Sequence, residues 1–421
     1  MRFTVVGAGS TYTPELVEGL ASRQELLPID ELVLHDVDAA RLEIVAGLAR
    51  RMLARLGSSA VVRATTSLTE AVDGASFVVI QLRVGQQAAR LLDESVPDQF
   101  GLVGQETTGA GGFAKALRTV PVVRSIADEV RRLAEPDAWI LVFTNPVGII
   151  TRALVEDGHR VLGLCNVAIT FQRLFARLLG TQPEQVELGH AGLNHLTWIR
   201  SVCIDGHERL GELLDSPLRE LVAGEIGLGP ESLDVLKAVP SYYLKYFYST
   251  AAMVRSQREN PRAEEVVDIE RRLLAMYADP TLDRKPALLE QRGGAFYSEA
   301  AAALVTSLYT DDQALHYVNI RNDGTLHGLP DDAVVEVPAR VGRQGAMAER
   351  VPDLAPEMLS LVQTVTAYET LTLGAARMGD RDLARRALAA HPLVRDPSVA
   401  VPLLDALLEV NRSHLPAFFR D

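Results

Sequence analysis

The sequence predicts an α/β protein: a Rossmann-like, doubly wound parallel sheet followed by a second, mostly helical α+β lobe. Three observations predict it. Short, continuously apolar strands alternate with helical periodicities from Arg2 to Asn166. Strands buried on both faces read in this way, and the crossover helices cover those faces. A glycine turn, Gly7-Ala8-Gly9, follows the first strand and opens the first helix. From about Val186 the pattern changes to strands that alternate with turns, and the remainder is mostly helical. We place the nucleotide-binding half at residues 1–169 and the second lobe at 170–421.

The elements follow in order. RFTVV (2–6) is the first strand, and Pro14 suits the first turn of the helix after it, whose apolar face carries Leu16, Val17 and Leu20. ELVLHD ends a second strand at Asp36, a long helix runs from about Ala39 to Leu56, and AVVRATT and ASFVVIQLRV give two more strands. The Gly- and Thr-rich stretch 101–112 reads as a loop. A helix from about Lys115 to Leu133, the strand WILVFTNP, a helix near Val147, the short strand HRVLGLCN and a helix from Ala168 complete the rhythm. VELGHAGLNHLTWIRSVCIDG alternates like antiparallel strands, and the segment from His316 to Pro338 reads as irregular strand.

The chain has 421 residues, 48% of them apolar, and a formal net charge of -13. That charge repels nucleic-acid phosphates, so no nucleic-acid partner is expected. An anionic substrate must be met by a few placed arginines. The two cysteines, Cys165 and Cys203, form no CxxC pair, and VCIDG around Cys203 reads as strand packing. A disulfide framework is therefore not expected, and a reducing compartment is. The N-terminal MRFTVVGAG runs straight into a strand without the charged, apolar and cleavage regions of a secretory signal. No apolar run is long enough to span a bilayer. The expectation is a cytoplasmic protein with no membrane partner.

Gly7, Gly9, Ser10 and Thr11 form a turn whose backbone N–H groups and helix N-terminus suit a pyrophosphate. The third glycine of GxGxxG is absent, since Tyr12 stands there. Asp36 would bond the adenosine ribose and repel a 2′-phosphate, which favours NAD over NADP. Cys165-Asn166 ends a strand, where ligands gather in open α/β sheets, and His195 follows in GLNHLTW. A thiolate and an imidazole could hold a divalent metal together with substrate oxygens. Read alone, they equally describe an apolar filler and a hydrogen-bonded core histidine. The tyrosines of PSYYLKYFY read as core or rim aromatics, and Arg83 and Arg90 as surface charges. A tyrosine serves as a base only where a metal or cation lowers its pKa from near 10.

Taken together, several blocks resemble glycoside hydrolase family 4: GAGSTYTPELVEGL (7–20), RVGQQAARLLDE (83–94), GQETTGAGGFAKALRTVPV (104–122), TNPVGI (144–149), CN (165–166), GLNH (192–195), PSYY (240–243) and RGGAFYSEAA (292–301). The resemblance implies a nucleotide domain like that of lactate and malate dehydrogenases, and a chemistry unlike the usual pair of carboxylates. It implies that NAD+ transiently oxidises the sugar C3, that a metal, usually Mn2+, polarises the C3 oxygen, and that a tyrosine takes the C2 proton so that the aglycone leaves by elimination. Water then adds and the hydride returns, so the net reaction is hydrolysis. Carried over by motif, Cys165 and His195 would hold the metal. Tyr243 would be the C2 base, with Tyr242 the alternative, and Glu106 would raise its basicity. Arg90, Asn145, Asn166 and Arg292 would bind the sugar and its 6-phosphate, with Arg262 and Glu264 nearby. Members acting on α-linked substrates commonly carry Asp after the metal-binding Cys, placed to protonate the leaving group; Asn166 points instead to a 6-phospho-β-glucosidase and leaves no evident general acid. The resemblance departs at Ala168, where proline is common, and at Gln86, where RVGG is common. Relatives form dimers and tetramers, so a homodimer or homotetramer is expected.

Two activities compete on this fold: a 6-phospho-α-glucosidase, and a 2-hydroxyacid dehydrogenase of the lactate/malate type. The dehydrogenase reading needs an Asp beside its catalytic His, and GLNH shows none at the expected place. A non-catalytic NAD-binding sensor of sugar phosphates is a third possibility.

Overall fold

The structure, a computed structural model, describes residues 1–259, 262–292 and 296–420. Gly293, Gly294 and Ala295 of the RGGAF block, and Asn260 and Pro261 before Arg262, lie outside the described residues. The strands are β1 (Arg2–Val6), β2 (Glu31–His35), β3 (Val61–Thr65), β4 (Phe77–Ile80), β5 (Trp139–Val142), β6 (Val161–Leu164), β7 (Val186–Leu193), β8 (Leu196–Ile204), β9 (His207–Glu208), β10 (Val239–Pro240), β11 (Ala314–Arg321), β12 (Val334–Gly342) and β13 (Gly345–Ala348). One sheet runs in the order β10-β8-β7-β12-β11-β6-β5-β4-β1-β2-β3, with β9 on β8 and β13 on β12.

The segment β3-β2-β1-β4-β5-β6 is parallel throughout, in the order of a dinucleotide-binding fold. Its strands read as apolar runs because helices cover both faces; FVVI, WILV and VLGL are buried at every position. The strand order reverses between β1 and β4, which opens a crevice at their carboxyl ends beside the Gly7 turn. At β6 the sheet turns antiparallel: β11 pairs with β6, β12 with β11 and with β7, and β7 with β8. The sheet thus continues across the expected boundary at residue 170. The main hydrophobic core also spans both parts, from Phe3 to Phe418. A second cluster lies around the helix Val167–Leu179, β7 and β8.

Two local expectations are corrected. The residues Gly109–Gly112 are not loop but the first turn of the helix Gly109–Leu133. A Cβ at Gly111 would lie 2.4 Å from the Asp93 and Gln105 carbonyl oxygens, so the glycines there are required by close packing. The segment from His316 to Pro338 is regular strand at both ends, and only its connecting residues 322–333 are turn and loop. β11 and β12 pair in unbroken antiparallel register from Ala314↔Val341 to Arg321↔Val334. The tyrosine-rich segment is a 3₁₀ turn, Tyr242–Leu244, followed by one helical turn, Lys245–Tyr248.

Candidate functional site

The nucleotide turn is built as its sequence requires. Gly7 holds φ +89, and a Cβ there would meet the Gln81 carbonyl oxygen at 2.7 Å. The helix Thr13–Ala21 has no side-chain cap; its Thr13 and Glu15 N–H groups bond the Ser10 and Tyr12 carbonyls, and the positive end of its dipole follows directly on the Gly7 turn. The Asp36 carboxylate accepts from Gly9 N at 2.8 Å and from Asp38 N at 3.0 Å, which pins the acidic group to the turn. Ser10 is half-buried, whereas Thr11 is fully buried and its carbonyl accepts from the Tyr277 hydroxyl.

At the carboxyl end of β6, Cys165 is buried and Asn166 caps the helix Val167–Leu179. β7 and β8 are joined by the two residues Asn194-His195, and His195 takes φ +64, a left-handed conformation that costs a non-glycine residue about 1 kcal/mol. This tight tip brings the His195 ring onto Tyr243, with centroids 3.6 Å apart and planes 12° apart. His195 Nδ1 lies 3.1 Å from the Thr107 hydroxyl, which leaves Nε2 to a ligand. Burial lowers the His195 pKa to about 4, so the ring is neutral and fit to ligate. The Tyr297 and Asn194 side chains lie beside the Cys165 sulfur, and burial pushes its thiol far up. Tyr242 packs on Tyr243 with centroids 4.8 Å apart, and its hydroxyl donates to Asn166 Oδ1 at 3.5 Å. Cys165, Asn166, His195, Tyr242 and Tyr243 therefore form one cluster. Tyr297 joins it, a residue that sequence reasoning assigned no role.

Burial raises the Tyr243 phenol well above its usual range, with Tyr242, Cys165 and more distantly Glu106 adding to the effect. Tyr243 can act as a base only with positive charge beside it. Among the described residues no group of three His, Cys, Asp or Glu is gathered as a metal site. Cys165 and His195 nevertheless fit a divalent cation of open coordination: a thiol and a neutral ring nitrogen flank the same tyrosine, and substrate or water oxygens would complete the shell. The Asn145 Oδ1, just beyond β5, is buried without a partner among the described residues and suits a sugar hydroxyl.

Arg83 and Arg90 are not surface charges. Arg83 pairs with Glu106 through both terminal nitrogens, one at 3.2 Å. Arg90 contacts Glu94 at 2.8 Å and Glu106 at 3.5 Å, and Lys115 donates to Glu106 at 2.8 Å. These cations hold the Glu106 carboxyl well below the usual range despite its burial. Burial, with Arg83 nearby, lowers the Lys115 pKa to about 8. Lys115 was missed from sequence; its signal was a cation inside the apolar run FAKAL. Arg292 donates to Glu270 at 2.8 and 3.2 Å, and Gln87 and Arg41 reach the same carboxylate. Arg262 is exposed and ion-paired with Glu265, and Glu264 is also exposed.

The family 4 glycosyl hydrolase model matches residues 2–181, and the model of that family's C-terminal domain matches residues 190–394. A probable 6-phospho-β-glucosidase of Bacillus subtilis is 38% identical over 434 residues, which cover 100% of this chain and 98% of the relative. The 6-phospho-β-glucosidase of Thermotoga maritima, in a structure with manganese, NAD+ and glucose-6-phosphate, superposes with a TM-score of 0.91 at 35% identity, covering 98% of this chain and 99% of that one. Malate dehydrogenase from Salinibacter ruber shares the fold alone, with a TM-score of 0.56 at 18% identity over 91% of this chain and 99% of that one. A plain 2-hydroxyacid dehydrogenase is thereby set aside, in keeping with a His195 that faces a threonine hydroxyl instead of a carboxylate. The chain belongs to glycosyl hydrolase family 4.

Proposed function

We propose that this chain is a 6-phospho-β-glucosidase that hydrolyses 6-phosphorylated β-glucosides with NAD and a divalent cation, Mn2+ foremost. The observation that carries the reading is the stack of His195 on Tyr243 with Cys165 and Asn166 beside it, at the sheet edge that also bears the Gly7 turn. When bound, the dinucleotide and the cation supply transient oxidation at C3 and a positive charge that acidifies both the C2 hydrogen and the neighbouring phenol. The chain's own groups do the rest. Tyr243 accepts the C2 proton at its phenol oxygen. Asn145 and Asn166 orient the pyranose hydroxyls. Arg90 and Arg292 meet the phosphate, with Arg83 and Lys115 adding positive charge around Glu106. The half-buried aromatic floor of Tyr242, Tyr243 and Tyr297 limits the access of water. Glu106 contributes negative charge that favours a proton on Tyr243.

Asn166 favours the β-anomer, because an amide cannot protonate a leaving group as the carboxyl of α-acting members does. The identity to the Bacillus subtilis relative supports the same choice. We read residues 1–169 as the nucleotide-binding unit and residues 170–421 as the substrate and cation unit. We further propose a cytoplasmic homodimer or homotetramer; no described helix is long and apolar enough to cross a membrane. The test is turnover of aryl 6-phospho-β-glucosides against the α-anomers, with and without NAD+ and Mn2+. The expected result is β-selective hydrolysis that needs both additions. Preference for the α-anomer refutes the anomeric assignment, and activity without NAD+ refutes the mechanism.

A further inference from the structure

Glu336 is a carboxylate in the middle of the apolar strand VVEVPARVG, and it is 1% exposed. The sheet register explains its location. Gly163 on β6 pairs with Asn319 on β11, Asn319 pairs with Glu336 on β12, and Glu336 pairs with Gly192 on β7. This row crosses the sheet between the two strands whose ends carry Cys165 and His195. A Cβ at Gly163 would lie 2.8 Å from the Asn319 Cβ, so glycine there makes room for the row. A carboxylate without partners at this depth would cost several kcal/mol. Glu336 has three. Asn194 Nδ2 and Asn319 Nδ2 donate to Oε2 at 2.8 and 3.0 Å, and His190 Nε2 lies 2.8 Å from Oε1. An ionised carboxylate only accepts, so His190 Nε2 carries a proton.

One of those donors leads to the site. The Asn194 side chain also lies beside the Cys165 sulfur, and Asn194 precedes His195 in the two-residue tip. Resting on the cation reading of Cys165 and His195, we propose that Glu336 is a positioning residue of that cation site: it fixes the Asn194 amide against the Cys165 sulfur and supplies buried negative charge. The charges balance. A divalent cation with one thiolate and a neutral imidazole leaves one positive charge, and Glu336 offsets it at a distance of one side chain. A purely structural Glu336 would pin β7, β11 and β12 and leave cation affinity unchanged.

The two roles separate in a Mn2+ titration of the full-length protein with NAD+ present, read by the electron paramagnetic resonance signal of free Mn2+. Glu336→Gln keeps the size and removes the charge. Asn194→Ala breaks the link to Cys165 while leaving Glu336 its other donors, and it decides the matter where Glu336→Gln does not fold. Each variant is expected to weaken Mn2+ binding roughly tenfold or more, as loss of outer-shell support does at other metal sites, with NAD+ affinity unchanged. A smaller loss in either folded variant overturns the proposal. Wild-type Mn2+ affinity in Cys165→Ser would instead overturn the underlying cation reading.

Discussion

Replacing Glu106 with glutamine removes the one negative charge shared by Arg83, Arg90 and Lys115. Lys115 is 3% exposed, so its ammonium is left in a poorly solvated place. Its pKa is already lowered to about 8 by burial and Arg83, against the pull of Glu106. Without Glu106 its pKa falls further, so at pH 7 it can escape by losing its proton at a cost of no more than about 1.4 kcal/mol. The guanidinium of Arg83 has no such escape, because it stays charged at any ordinary pH. Removing one partner of a buried pair costs about 3–5 kcal/mol, and the lysine's exit places this variant at the lower end, about 3 kcal/mol. Adding Lys115→Met to Glu106→Gln should recover no more than about 1.4 kcal/mol of it. Urea unfolding of the wild type, both single variants and the double variant at pH 7 closes the cycle. A loss below about 1 kcal/mol for Glu106→Gln, or no coupling to Lys115, would refute the placement of Glu106 at the centre of this cluster.

Cys165→Ser should abolish hydrolysis while fluorescence titration shows unchanged NAD+ binding; full activity would remove the sulfur from the site. Gly7→Ala should eliminate measurable NAD+ binding, because a side chain at φ +89 collides with the Gln81 carbonyl; wild-type affinity would mean the turn does not hold the dinucleotide. Acid should destabilise the fold before most carboxylates titrate. Burial lowers His195 and His316 to about 4 and His391 to about 3, each from 6.5. The unfolded chain therefore binds more protons below pH 6.5, and stability falls as pH drops from there toward 4. Each imidazole removes about 2 kcal/mol between pH 7 and 5. Urea midpoints that stay constant over that interval would show that these rings take up protons in the folded protein as they do in the unfolded chain, so that burial does not lower their pKa.

The nucleotide half was legible because its information is local. Buried parallel strands are unbroken apolar runs, and Gly7-Ala8-Gly9 between a strand and a helix has a specific mechanical use. The site residues Cys165, Asn166, His195 and Tyr243 were nameable only through the joint resemblance of several blocks, since each alone also describes ordinary core packing. What was misread depended on partners distant in sequence. Gly109–Gly112 resembles a loop by propensity, yet the close approach of Asp93 and Gln105 demands glycine at Gly111 inside a helix. The strands at the two ends of His316 to Pro338 looked irregular because their regularity lies in the register of β11 against β12 across the loop 322–333. Arg83 and Arg90 looked like surface charges until Glu106 was brought between them. Lys115 and Glu336 left a trace that could have been used: a lone charge within an apolar helix or a β-branched strand requires a buried partner. At Gln86, where the family commonly has glycine, the chain keeps φ +52 and so carries backbone strain at the start of the helix Gln86–Gln99.

The central claim is that Tyr243 removes the C2 hydrogen of the sugar while the ring is transiently oxidised beside it. Hydrolysis of an aryl 6-phospho-β-glucoside in D2O, with NAD+ and Mn2+, tests it through the mass and proton spectrum of the glucose 6-phosphate released. The account predicts deuterium at C2 of the product and none at C3, whose hydride returns from the cofactor. A product that retains its original hydrogen at C2 in every turnover would contradict it.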